Sequence, residues 1–253
     1  MYILDHPILV FLLSLILLRL SAAFGTFLLH KRQPLESDAR EDLGVIVAAS
    51  LTLLGLIIGF TFSMAVTRYD QRKNLEEEEA NAIGTEYLRV NLLPQGDAAK
   101  LQQTLREYLR QRIVFYQNHD ESKSAQINAE TARLQNELWA TLENDARSNP
   151  TPVMALVVSG MNDVLNSQGY TQAAWWNRIP LAAWALMLAI AIACNTLVGF
   201  TSRRVENKAP RYFVLPFIVA VSFFLIADID SPSRGVIRVH AKNLTTLASS
   251  LQP

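Results

Sequence analysis

Residues that commonly catalyse reactions or bind metals are few and scattered in this sequence. The four histidines, His6, His30, His119 and His240, lie far apart along the chain and show no metal-ligand spacing. The one cysteine, Cys194, lies inside a long apolar stretch, so no disulfide can form within the chain. The sequence therefore predicts that the protein is not an enzyme and has no bound metal or cofactor.

Charged residues inside or beside apolar stretches are better candidates for a function. Arg19 lies near the middle of the first apolar stretch, where a charge costs about 2.5–3.5 kcal/mol on insertion scales. It can attract anions, pair with an acid such as Asp228, or extend to the membrane surface. Asp228 and Asp230 end the last apolar stretch and can bind a cation. We favour salt bridges to Arg234 and Arg238, because hard cations usually need more oxygen ligands.

The densest charged segment is the run Glu76–Glu79, which follows Arg72 and Lys73 by one helical turn. In an oligomer, a ring of such segments would repel anions or hold a divalent cation. Charge runs on exposed helices are common, so the interpretation that we favour is a solvated helix face.

The sequence has four apolar stretches of about 16 to 24 residues each. A membrane-spanning helix needs roughly 20 residues, so each stretch is read as a transmembrane helix. No Lys or Arg precedes the first stretch as it would in a secretory signal, so we expect this stretch to be retained. The formal net charge is +0, which gives no overall indication of nucleic-acid binding. The stretches are Pro7–Leu29, Leu43–Val66, Ile179–Phe200 and Tyr212–Ala227.

The region between the second and third stretches is long and polar, and its apolar residues recur at helical steps of three and four. No proline interrupts the chain from Leu43 to Pro94, so the second span is predicted to continue as a helix beyond the membrane. A later helix is predicted to begin at Thr151, an N-cap followed by Pro152. Breaks are predicted at Pro94–Asp97 and Asn118–Ser124.

These patterns predict an all-α integral membrane protein with four transmembrane helices and a soluble helical module inserted between the second and third. The domains are residues 1–67, a first transmembrane hairpin; 68–178, the module; 179–230, a second hairpin; and 231–253, a C-terminal tail.

The second stretch has features beyond those of a simple span. Gly55 and Gly59 form a small-xxx-small pair that allows another helix to pack closely. Thr52, Leu56 and Phe60 are four residues apart and share one face. From the residues alone, packing against neighbouring helices is the simpler explanation of this face.

The segment LLGLIIGFTFSMAVTRYDQR resembles the second transmembrane helix of bestrophin chloride channels, where a Leu-Gly-Phe motif precedes Arg and an aromatic residue by a little over two turns. The matching positions are Gly59, Phe60, Arg68 and Tyr69. GFTFSMAVTRYDQR, EANAIGTEYLR and DIDSPSRGVIRV are similar to segments of the bacterial bestrophin-like family, which is largely uncharacterised.

The resemblance implies a pentamer in which the second helices line a central pore and the helical module forms a cytoplasmic vestibule. Bestrophins narrow their pore with three apolar residues four apart, which match Thr52, Leu56 and Phe60; Thr52 departs from the apolar pattern. The acidic clasp of calcium-activated members is represented only by Asp228 and Asp230, so calcium gating is not implied.

Lys and Arg near the span ends number seven on each side, so charge alone does not orient the protein. The family layout places both termini and the module on the cytoplasmic side of the bacterial inner membrane. We therefore predict an oligomeric anion channel, with Arg19 and the basic short loops attracting the ion. Its expected partners are other copies of the chain, membrane lipid and inorganic anions such as chloride, with no nucleic acid. The alternative is a non-conducting membrane scaffold or signalling protein whose module binds a partner.

Overall fold

In the computed structural model, which describes residues 3–30, 37–201 and 211–251, the chain is almost entirely helical and no strand occurs among those residues. Short 3₁₀ helices cover Ile3–Asp5 and Val90–Leu92. The α-helices are α1 (Pro7–His30), α2 (Ser37–Arg89), α3 (Gln95–Gln117), α4 (Glu121–Ser148), α5 (Pro152–Trp176), α6 (Leu181–Thr201), α7 (Arg211–Asp230) and α8 (Lys242–Ser250).

Four helices among the described residues are long and apolar enough to cross a membrane, as the sequence predicts. They are α1, α2, α6 and α7, the last containing Pro216. The third apolar segment extends over α5 and α6, but the helix is broken at residues 177–180 and only α6 lacks charged side chains.

Helix α2 is 53 residues long, which at about 1.5 Å per residue corresponds to roughly 80 Å. It continues well past the apolar stretch, as the absence of proline predicts, and the chain turns at Pro94 to begin α3. The segment that crosses the membrane and the segment that follows it are therefore one continuous helix.

The chain divides into two compact units. Unit 1 comprises Met1–Arg68 and Arg178–Arg238, and unit 2 comprises Tyr69–Asn177 and Val239–Pro253. In unit 1, α1 packs against α6 and α7. The contact with α6 is made through glycine: a Cβ at Gly25 would collide with the carbonyl oxygen of Thr196, and one at Gly199 with that of Ala22. Small residues thus bring the two backbones together.

Unit 2 has a hydrophobic core built from α3, α4, α5, α8 and the second half of α2. The predicted break at Pro94 and the predicted start of α5 are confirmed: the Thr151 hydroxyl accepts a hydrogen bond from the Met154 N–H at 3.1 Å, with Pro152 next in the chain. The buried side chains of this core include Ile83, Leu101, Leu105, Tyr108, Leu134, Leu138, Leu142, Val157, Met161 and Val164.

Candidate functional site

One side of α2 is buried within its unit and the other side is not. In the apolar part, Leu54, Thr61 and Ala65 are buried. The opposite side carries Leu56 and Phe60, whose side chains are 52% and 65% exposed. Residues spaced by three and four positions share a helix face, so the exposed side is a continuous strip.

The strip changes chemistry along its length. We name it the outward face of α2, formed by Thr52, Leu56, Phe60, Ser63, Thr67, Asp70, Asn74, Glu77, Glu78 and Asn81, all of them exposed. The apolar part carries Leu56 and Phe60, the next turns carry hydroxyl groups, and the last turns carry acids and amides. A simple lipid-facing surface would be uniformly apolar through the span, so the polar side chains from Ser63 onwards are a reason to expect water beside this face.

Gly55 and Gly59 lie next to this face and touch nothing: a Cβ at either position has no neighbour within 4 Å. Close helix packing within the chain occurs instead at Gly25 and Gly199. The predicted role of Gly55 and Gly59 in packing therefore requires a second copy of the chain, and it stays a prediction. Thr52 donates a hydrogen bond from Oγ1 to the carbonyl of Ala48, 3.0 Å away, which satisfies its hydroxyl within the helix.

Arg19 is exposed on α1, and its guanidinium lies 5.3 Å from the centre of the Phe213 ring. Such a cation–π contact contributes about 0.5–2 kcal/mol and partly compensates a charge in an apolar setting. Asp228, one of the acids considered as a partner for Arg19, has both carboxylate oxygens hydrogen-bonded to the backbone of the turn after α7. The basic short loops expected to attract anions lie outside the described residues, over 31–36 and 202–210.

Asp230 joins three parts of unit 1. Its carboxylate accepts a hydrogen bond from Arg178 Nε at 2.9 Å and from the Ile179 N–H at 3.3 Å, and Arg68 Nη1 lies 3.7 Å away. Arg178 also donates to Asp5 at 2.8 Å. The ion pairs of Asp230 are thus formed with Arg68 and Arg178, where the sequence suggested Arg234 and Arg238. Asp230 is 2% exposed, so its charge is paired in a buried position.

Asp228 closes the turn that follows α7. Its two carboxylate oxygens accept hydrogen bonds from the backbone N–H groups of Val236 and Ile237, at 2.7 and 2.8 Å. Gly235 lies so close to the Asp228 carbonyl that a Cβ there would collide with it. The ending DIDSPSRGVIRV is therefore a structural turn in which both aspartates have protein partners, and neither is arranged for a cation.

The Glu76–Glu79 run does not form the uniformly solvated face that the sequence favoured, because two of its members are buried. Glu76 accepts hydrogen bonds from the Leu244 N–H at 3.0 Å and from Asn243 Nδ2 at 2.7 Å, which caps the start of α8. Glu79 forms a buried ion pair with Arg112. Glu77 and Glu78 are exposed and belong to the outward face.

A buried polar stripe on α2 is what the sequence interpretation missed. Arg72, Glu76, Glu79 and Glu86 are each about 1% exposed or less and repeat at steps of three, four and seven. Arg72 donates from Nε and Nη2 to the carbonyls of Ala174 and Asn177, 3.1 Å away in each case, at the end of α5. The spacing of these four residues is visible in the sequence, but only the structure shows that it continues the buried side formed by Leu54, Thr61 and Ala65.

Glu86 is the member of this stripe whose carboxylate has only a long ion pair. Neither carboxylate oxygen makes a hydrogen bond, and the nearest cation is Arg89, whose Nη1 lies 3.8 Å from Oε2. The carboxylate lies directly over Gly160 of α5, where a Cβ would collide with it. Burial raises the pKa of Glu86 to about 7, with Arg89 opposing and Asp163 reinforcing the shift.

No group of three or more His, Cys, Asp or Glu side chains in the described part of the chain is arranged to hold a metal ion. The sequence predicts that the four histidines are unrelated to one another. Of these, His6 contacts Arg234: its Nε2 lies 2.7 Å from Arg234 Nη1. Cys194 is buried in α6.

The fold has close counterparts among solved structures. A bacterial bestrophin homolog from Klebsiella pneumoniae matches with a TM-score of 0.58 and 15% identity, covering 97% of this chain and 99% of that one. A single-residue variant of that homolog gives 0.61 and 14%, covering 97% of each chain. A structure described only as a membrane protein gives 0.60 and 13%, covering 96% and 98%. At such identities the likeness shows the fold alone.

No curated protein matches the chain. The family model of the Bestrophin-like domain, in contrast, matches residues 13–244, which include most of α1, all of α2, α6 and α7, and almost all of unit 2. The chain therefore belongs to the Bestrophin-like family, as the three quoted segments predicted.

Proposed function

We propose that this protein is an oligomeric ion channel whose pore is lined by the outward face of α2. The observation that carries the proposal is the exposure of the apolar part of α2: 6% of its most apolar segment is buried within the chain, against 50% in α7. A span that touches so little of its own chain faces lipid, packs against other copies or borders an aqueous pathway, and the polar side chains from Ser63 onwards argue against lipid alone. The resemblance to bestrophin channels favours both at once, with copies arranged around a central pore, and it implies five copies.

The rings formed by Leu56 and Phe60 are the proposed constriction. Apolar rings of this kind gate by dewetting, because an ion that has lost water gains no polar partner until the ring widens. Thr52 is a weaker member because it departs from the apolar pattern, although its hydroxyl donates within the helix. Beyond Phe60, Ser63 and Thr67 carry hydroxyl groups, of which that of Thr67 donates to the Ser63 carbonyl at 2.9 Å, so the pathway becomes polar within about one turn.

Unit 2 is the proposed module outside the membrane, on the cytoplasmic side of the bacterial inner membrane together with both termini. Its helices carry exposed ion pairs, such as Arg133 with Glu130 and Glu137, which are typical of a surface in contact with water. The orientation follows the family layout, because the charge count does not decide it.

Anions are the ions predicted from the sequence, on the basis of the resemblance. Cations are a second candidate because of one observation: Asp70, Glu77 and Glu78 are exposed on the outward face. Arg68, which points to the opposite side of α2, is engaged by Asp230. In a ring of copies these acids would create a negative potential that attracts cations.

Ion flux into liposomes tests the function and its ion together. Purified wild type and Phe60→Ala are compared under separate chloride and potassium gradients, with Phe62→Ala as control. Phe62 is on the same helix, 39% exposed, and outside the outward face. We expect Phe60→Ala to conduct more than wild type, because the constriction loses its ring, and Phe62→Ala to conduct as wild type does.

The gradient under which a flux appears tells the two ions apart. Chloride flux supports the anion prediction, and potassium flux keeps the channel but replaces its ion. Absence of flux from all three proteins, each shown to be a folded oligomer, would contradict the channel and favour the non-conducting scaffold.

A further inference from the structure

A histidine and an arginine that are 228 residues apart in the sequence meet in unit 1. His6 lies between the short 3₁₀ helix Ile3–Asp5 and α1, and Arg234 lies in the turn that follows α7. Nε2 of His6 is 2.7 Å from Nη1 of Arg234, a hydrogen-bond distance, and both residues are partly buried. The contact therefore joins the residue before the first span to the turn after the last span.

Backbone hydrogen bonds hold both sides of this contact in place. The N–H of Val10 donates to the carbonyl of His6 at 3.0 Å, so His6 belongs to the first turn of α1. On the other side, Asp228 accepts from two backbone N–H groups at 2.7 and 2.8 Å, which closes the turn that carries Arg234. Both side chains thus start from backbone positions that are fixed independently of their contact.

The contact determines the charge state of the imidazole. A guanidinium has only donors and stays protonated in proteins, so Nε2 of His6 is the acceptor and carries no hydrogen. The ring is therefore neutral, with its hydrogen on Nδ1. Protonation of Nε2 would point an N–H at another donor and bring two positive charges together.

The charged side chains of the neighbouring elements are paired among themselves. The segment before α1 packs against α1 and α7, and about the first three turns of α1 contain no charged residue. Asp5 accepts from Arg178 at 2.8 Å, and Arg178 donates to Asp230 of α7 at 2.9 Å. Among these types of side chain, only an imidazole ordinarily changes its charge between about pH 5 and 8. A change of pH in this range therefore acts on the contact through His6.

We propose that the contact between His6 and Arg234 is a pH-sensitive connection, which holds the beginning of α1 to the turn after α7 at neutral pH and opens in acid. Protonation of the imidazole removes the acceptor and replaces an attraction by a repulsion, so the two segments separate. The connection lies within unit 1, and the outward face of α2 contributes no residue to it.

Hydrogen–deuterium exchange of the full chain in lipid nanodiscs measures this separation locally. Mass spectrometry follows peptides covering residues 3–10 and 231–241, and each rate is divided by the rate of the unstructured peptide at the same pH. We expect wild type to exchange about 3- to 10-fold faster at about pH 5 than at about pH 8, the effect of one lost hydrogen bond. A local measurement is needed because Glu86 of unit 2 has a pKa of about 7 and also changes its charge in this range.

Three variants make the result decisive. His6→Gln keeps an acceptor that does not titrate, since its amide oxygen can accept from Arg234, and its corrected exchange should be equal at the two pH values. Arg234→Met removes the donor, so both segments should exchange at the fast rate at either pH. His119→Gln changes an exposed histidine between α3 and α4 and should keep the wild-type pH dependence. Equal corrected exchange of wild type at both pH values, or a pH dependence that persists in His6→Gln, would overturn the proposal.

Discussion

Glu86 shows how one side chain can make the stability of this protein depend on pH. In the folded protein the pKa of Glu86 is raised to about 7 by burial, whereas the ordinary value for this side chain is 4.5. Between these values the folded state binds more protons than the unfolded state, so the contribution of Glu86 to the free energy of unfolding is full below about pH 4.5 and is lost as the pH rises to about 7. The full effect is on the order of 3 kcal/mol.

Substitution of Glu86 by Gln is the direct test, because it keeps the shape and removes the charge. We expect wild type to lose thermal stability between about pH 5 and about pH 8, and Glu86→Gln to lose much less and to be the more stable protein at about pH 8. The melting temperature of the purified protein at both pH values measures this. Glu77→Gln, an exposed position on the same helix, should show the wild-type dependence. Equal slopes for wild type and Glu86→Gln would contradict the assignment.

At the scale of helices, the contact between α1 and α6 depends on glycine, whereas α2 exposes its glycines. Gly199→Ala places a Cβ against the carbonyl of Ala22 and should destabilise the protein by about 1–3 kcal/mol, the usual cost of overpacking. Gly55→Ala meets no neighbour within the chain and should leave the melting temperature of the subunit unchanged or slightly raised.

Thermal unfolding of both glycine variants in detergent compares them directly. A Gly199→Ala protein as stable as wild type would contradict the close helix contact. If Gly55→Ala keeps the subunit folded but separates the copies, then Gly55 packs against a neighbouring copy, which is the role that the sequence predicts for it.

Helix boundaries could be predicted from the sequence because their signals are local. Thr151 and Pro152 start α5, and Pro94 marks the break between the long helix and α3, each through the backbone geometry of a few neighbouring residues. The partners of buried charges could not be predicted in the same way. Glu76 meets Asn243, which is 167 residues further along, and Asp230 meets Arg178, which is 52 residues earlier. Only the fold brings these pairs together.

The candidate pore face was predictable in part. The spacing of Thr52, Leu56 and Phe60 places them on one side of a helix, and the structure leaves that side uncovered by the chain itself. What the spacing could not show was which side of α2 would be buried, since Leu54 and Leu56 are chemically alike. That choice is made by the packing of unit 1 around Leu54, Thr61 and Ala65.

For the whole molecule, the exposed surface of α2 predicts association. A membrane helix with so little burial in its own chain is expected in an oligomer, and the resemblance implies five copies. Native mass spectrometry of the full chain in mild detergent counts the copies directly. Any closed ring of identical copies is compatible with a pore, but a protein that remains monomeric in lipid nanodiscs would contradict the proposed function.

The unbroken length of α2 has a consequence for its backbone. Phe60 and Glu86 are 26 residues apart on one helix without a proline, about 39 Å of helical rise. Every backbone N–H between them can donate to the carbonyl four residues earlier, so neither the apolar ring nor the buried carboxylate adjoins a break in the helix.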